Sequence, residues 1–358
     1  MRSWREARRL LCAAGAGVLL LAGLQAGRQA AVCAEKDARA EALYNDALGM
    51  DPQQPDERAR VLMEAIQQAP GETRYHIALG DTYAFSLSDG EREADPRRTE
   101  RLNRARKAYL EASRSDPASP IPSMRLASLE WAAGDPKSAA AHLDRAIALD
   151  RENALPMYER ALLHFLARED AQGRQSLLEA RSRKVVRFEP MLPTRPMVVR
   201  EASACVAVIM SGVMPHFSHL RELERQVVRV AEEMKKEDAL ANARALLIEA
   251  QRAASRTIFA EPPTLMCVLV GVAMDSIVCA SGLQPLAARM ADANTLQRLA
   301  LRNEARNKLR DGARALSDRA SNLAANPLAL LTVLKDEGDM VRKLLQQSGW
   351  VETVDDTN

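Results

Sequence analysis

Two imidazoles three residues apart, His216 and His219 in Pro215-His216-Phe217-Ser218-His219, are the first groups in this chain that could do chemistry. Residues three apart share one face of a helix, so both rings can reach a single ion. Glu222, one further turn on, can add a carboxylate, and zinc accepts such nitrogen and oxygen donors. Pro215 also sets the pair at a helix start, where polar residues are expected without any metal. No metal or other cofactor is therefore expected, and the two histidines stand as weak candidates. Asp275 is the second unusual group. It lies in a run from Thr264 to Ala280 that is otherwise apolar except for Ser276. A buried carboxylate needs a partner or an altered pKa. Arg289 or Arg298 from a following helix can supply a structural ion pair; the competing role is a catalytic acid.

Familiar catalytic motifs are missing from the sequence. There is no Gly-x-Gly-x-x-Gly, no Walker loop, no His-Glu-x-x-His, no Cys-x-x-Cys and no Gly-x-Ser-x-Gly. Five histidines leave little material for catalysis, so the chain reads as non-enzymatic.

The elements that must position these groups are helical. Apolar residues make up 47% and charged residues 27% of 358, enough for a packed core and too apolar for global disorder. Aromatics are only 4%, while Ala, Leu, Arg and Glu dominate, a mixture that favours helix over β-sandwich. Residues 1–34 hold five Arg and one acid; the remainder has 45 basic and 47 acidic residues, a net of −2. That near-neutral balance, without a basic stripe and interleaved aromatics, gives no reason to expect nucleic acid.

A period of 34 residues runs through the first half. Tyr109, Leu143 and Leu177 are each 34 apart, and so are Ala112, Ala146 and Ala180. Ala105 and Ala139 precede them at fixed spacing, and Leu62-x-x-Ala65-x-x-x-x-Pro70 repeats the spacing of Tyr109-x-x-Ala112-x-x-x-x-Pro117. Tyr109 lies 47 residues after Leu62, a surplus of 13 over the period, and the polar stretch 86–100 accounts for it as an inserted loop. First helices show as Leu79-Gly80-x-x-Tyr83, Leu126-Ala127 and Arg160-Ala161. Small residues at fixed positions let antiparallel helices approach, and each hairpin leaves an apolar flank that only the next can cover.

These residues resemble the tetratricopeptide repeat over about 37–185, some four units. The resemblance implies an all-α, right-handed solenoid of hairpins that holds a protein or peptide partner in a concave groove. Carried onto this chain, the groove positions are Arg74, Ile77, Asp81 and Ala84 in unit two. They are Ile121, Met124, Ser128 and Trp131 in unit three, and Leu155, Tyr158, Leu162 and Phe165 in unit four. The alternative is that C-terminal helices fold back and bury this stripe as ordinary core.

Beyond the repeat, 186–282 reads as helical hairpins with buried apolar helices, and 283–358 as further helices with a frayed tail. Residues 189–196 are a Pro-punctuated connector. Leu220, Leu223, Val227, Val230 and Met234 form one apolar face over 217–236, and 238–258 has the same character. Residues 264–280 read as a central buried helix, and breaks are expected near 291–293 and 326–327.

Arg2, Arg5, Arg8 and Arg9 precede the apolar run Leu10 to Leu24. Fifteen residues give about 22 Å of helix, short of a roughly 30 Å hydrocarbon core. With Val32-Cys33-Ala34 behind it, the segment reads as a signal peptide of residues 1–34, placing the protein in the periplasm or outside the cell. An uncleaved anchor is the alternative, and then the membrane contact. The remaining Cys205, Cys267 and Cys279 are odd in number and read as buried thiols. The leading expectation is thus an exported, non-enzymatic scaffold. Its alternatives are an exported enzyme with a site in the C-terminal half, and a membrane-peripheral protein docking through 197–213 and 264–280.

Overall fold

The computed structural model describes residues 35–51, 54–85, 96–188, 199–261, 264–323 and 337–350, and among them every regular element is a helix. The signal-peptide expectation, the connector 189–196 and the break near 326–327 lie outside the described residues. Helix α1 covers 35–49, followed by α2 (Pro55–Gln68), α3 (Thr73–Phe85), α4 (Pro96–Ser115), α5 (Ile121–Ala132), α6 (Pro136–Leu149), α7 (Leu155–Leu166) and α8 (Asp170–Ala180). Consecutive helices pack as hairpins, α3 with α4, α5 with α6 and α7 with α8, and each hairpin packs on the next. The inserted loop expected over 86–100 does not extend through 96–100, which are helical because α4 begins at Pro96; residues 86–95 lie outside the described residues.

The period of 34 has a visible physical cause. A Cβ at Gly80 would stand 2.2 Å from the Tyr109 ring, so α3 and α4 close only because Gly80 has no side chain. Ala105, Ala112, Ala139, Leu143, Ala146, Leu177 and Ala180 are all buried between neighbouring helices.

The α5–α6 and α7–α8 hairpin turns end their first helices in the same way. Gly134 (φ 79°) and Arg168 (φ 65°), one period apart, are in the left-handed region, and the next amide reaches back to close the helix: Asp135 N to Glu130 O and Glu169 N to His164 O, both 2.9 Å. The pattern recurs beyond the recognisable repeat. Asp238 (φ 60°) and Ala291 (φ 53°) are followed by Ala239 N to Met234 O and Asp292 N to Ala287 O, again 2.9 Å. Asp292 then starts the following helix, accepting from Thr295 N at 2.9 Å. Only glycine takes this conformation without steric cost. Ala291→Gly is therefore expected to stabilise the fold by about 0.5–1 kcal/mol, read as a higher urea midpoint; a lower midpoint would contradict this account of the turn.

Four longer elements complete the fold: α9 (Val199–Lys236), α10 (Leu240–Ile258), α11 (Leu265–Ile277), which runs through one wide π turn (Val278–Leu283) into α12 (Gln284–Arg289), and α13 (Ala293–Leu323). The last described helix, α14 (Glu337–Ser348), packs on α13. The Thr264 hydroxyl caps α11 by accepting from Cys267 N at 3.2 Å. Met266–Arg289 is long and apolar enough to cross a membrane, but 61% of its most apolar window is buried in the fold. The segment 185–188 runs extended between Asn153 and Glu261, joining the hairpins to α10. One apolar cluster runs from Met124 and Leu143 through Phe165 and Leu223 to Met274 and Leu299, so the hairpins and the C-terminal helices share a core.

Candidate functional site

The first helices of the hairpins are not bare. Helix α9 packs against α3, α5 and α7, the first helices of successive hairpins. The apolar stripe of α9 explains the placement: Phe217, Leu220, Leu223, Val227 and Val230 are buried in the same cluster as Met124, Tyr158, Leu162 and Phe165. The aromatic-rich face of the repeats thus meets a helix of its own chain.

A buried polar network crosses this contact from the repeat side to α9. The Tyr109 hydroxyl donates to Asp81 Oδ1 at 2.8 Å, and Arg125 Nε stands 3.1 Å from the same oxygen. Arg125 Nη1 reaches His216 Nε2 at 3.4 Å. Glu159 Oε1 lies 2.7 Å from His216 Nδ1 and 2.9 Å from His219 Nδ1. The His219 ring stacks on Trp131, centroids 4.0 Å apart and planes at 13°. An arginine always donates, so His216 Nε2 accepts and its Nδ1 carries the proton given to Glu159. Burial alone would raise the Glu159 carboxyl, but His216 and His219 hold it well below the usual carboxylate range. At Asp81 burial wins, and the carboxyl rises above its ordinary value despite Arg125 and Tyr109.

The expected groove residues fall into three sets. Asp81, Trp131 and Tyr158 are taken up by α9 or by the network, with Met124, Leu162 and Phe165 buried beneath it. Burial pushes the Tyr158 hydroxyl up to about 12, with Arg256 pulling the other way. Ile77 is buried in the N-terminal cluster and Ser128 is half-buried. Arg74 pairs with Glu41 and Glu72 and lies over the Tyr44 and Tyr75 rings, so it is held within the first two hairpins.

The histidine pair does come to a carboxylate, but not to Glu222. That side chain is partly exposed and bonded to Arg225 and Gln226 on its own helix. The carboxylate is Glu159, from α7. Sequence reasoning passed over both Glu159 and Arg125, although they are 34 residues apart and so occupy one repeat position. A charge recurring at the repeat period beside buried positions was the available signal.

Asp275 has a different set of partners from those expected. Arg302 Nε is 2.7 Å from Oδ1 and Arg306 Nη1 is 3.0 Å from Oδ2. Arg289 instead donates to the Lys235 carbonyl at 2.8 Å. Ser255 accepts from Arg302 at 2.9 Å, and the Cys279 thiol is 3.5 Å from Asp275. Burial pushes that thiol up to about 12, so Cys279 is an unreactive thiol. His219, Glu222 and Asp275 thus have three separate sets of partners. No family model matches the chain, and no curated protein matches it.

Proposed function

We propose that the protein is an exported, non-enzymatic scaffold of tetratricopeptide type, a right-handed solenoid over 37–185 that takes a protein or peptide segment in its concave groove. Helix α9 is the resident of that groove in the free chain. The observation behind this reading is the seat of α9: an amphipathic helix lies with its apolar stripe against the first helices of three units. Helix-in-groove recognition reads partners through such a stripe of anchors three or four residues apart. A partner of this class is an amphipathic helix that displaces or extends α9. Because α9 is tethered, it acts at an effective concentration of about millimolar or above, so the free chain resists weak ligands.

The test compares wild type with His216→Ala/His219→Ala, which loosens α9 by removing its bonds to Glu159. Capture from the cognate envelope fraction is expected to recover more partner with the variant. A synthetic 215–236 peptide in excess should abolish the capture. Equal capture by both proteins, or capture indifferent to the peptide, removes the groove as the binding site.

A further inference from the structure

We propose that Glu159, His216 and His219 form a binding site for a divalent transition-metal ion, with zinc as the representative, and that the bound ion clips α9 to α7. One ligand atom from each residue lies within 4.8 Å of the other two. Two imidazole nitrogens and a carboxylate oxygen are the donor set of many zinc sites. Zinc bonds of about 2.0–2.2 Å put neighbouring ligands roughly 3–3.5 Å apart. The two contacts from Glu159 to the imidazoles, 2.7 and 2.9 Å, are a few tenths of an ångström short of that. Binding an ion requires the Glu159 contacts to lengthen by a few tenths of an ångström, with all three donor atoms already within 4.8 Å of one another.

The surroundings fit an inserted ion. Glu159 is 1% exposed, and the Nδ1 atoms of both imidazoles converge on its Oε1, so three donor atoms already face one point inside the fold. His219 is held flat against Trp131, which fixes its ring plane. A narrow cleft lined by Met124, Arg125, Pro156, Arg187 and Phe188 reaches the His216 side chain, one of the three ligands.

Arg125 sets the affinity. With zinc on Nδ1, the His216 proton moves to Nε2, which faces Arg125 Nη1 at 3.4 Å. The guanidinium then has to turn fully onto Asp81, already 3.1 Å from its Nε. The site is accordingly weaker than a dedicated structural zinc cage, and the apo network is its stable resting form.

The experiment uses the untagged mature chain, stripped with a chelator and titrated with zinc alone. One equivalent per chain is expected, with a rise in melting temperature of roughly 5 °C at a hundredfold excess over Kd. His216→Gln/His219→Gln should lose both responses. Cobalt should give visible d–d bands without a thiolate charge-transfer band, which excludes Cys267 and Cys279 as ligands. Imidazole NMR of the wild-type chain avoids any folding defect of the variant: with five histidines to follow, two should shift on adding zinc. No uptake by wild type, undiminished uptake by a folded double variant, a thiolate band, or unmoved His216 and His219 resonances would each overturn the proposal.

Discussion

Asp275→Asn is expected to destabilise the protein by about 3–5 kcal/mol, because it removes one charge from a buried cluster in which Asp275 bonds both Arg302 and Arg306. Arg302 is 3% exposed, and its Nε lies 2.7 Å from Asp275 Oδ1. The Trp350 ring lies 4.2 Å from the Arg302 guanidinium and the Ser255 hydroxyl accepts one of its hydrogens, but neither carries charge. The cost comes from desolvated cations rather than from lost attraction. Replacing Asp275 and Arg302 together by Leu and Met should therefore recover much of the loss, as buried pairs exchanged for packed apolar residues often do. Denaturant unfolding of the two variants checks both statements. A single variant that loses less than about 1 kcal/mol would mean that Asp275 is not structural.

The charge on Asp275 was legible in the sequence; the identity of its partners was not. Arg289 and Arg298 stand nearer in the chain, yet the register of α13 decides which arginines face inward. That register is fixed by the left-handed turn at Ala291 and the Asp292 cap; a break near 291–293 is legible in the sequence, but its left-handed geometry is not, because alanine does not mark it. Arg168 and Asp238 take the same left-handed conformation without a residue type that marks it, whereas at Gly134 the glycine itself does. Repeat positions were legible because the hairpins need small residues where helices touch, as at Gly80 under Tyr109. The stripe on α9 was equally visible, since burial on one face imposes helical spacing. What it would pack against was not, because any apolar surface satisfies the same stripe. The histidine pair had the same fate: three-residue spacing told which face it shared, while Glu159, 57 residues before His216, came from the tertiary fold.

Glu224→Met should give the opposite sign, a more stable protein at neutral pH. Glu224 projects from α9 with no exposed surface, and neither of its oxygens has a hydrogen-bond partner among the described residues. Burial, with Asp275 as a nearby negative charge, pushes its carboxyl well above the ordinary 4.5. The folded state therefore keeps a proton that the unfolded chain releases once pH passes that ordinary value. The contribution of Glu224 to stability is present in full below pH 4.5 and is lost as pH rises toward the folded pKa. Linkage makes the loss about 1.4 kcal/mol per pH unit across that window. Methionine has nearly the same length, needs no hydrogen bond and carries no proton. The variant should thus gain over wild type steadily from pH 4.5 upward, by about 2 kcal/mol or more at pH 7. Urea unfolding at half-unit steps of pH measures the difference directly, and groups common to both proteins cancel from it. A difference that stays flat from pH 4.5 to 7 would mean that Glu224 ionises normally in the fold and has found water or a cation within it.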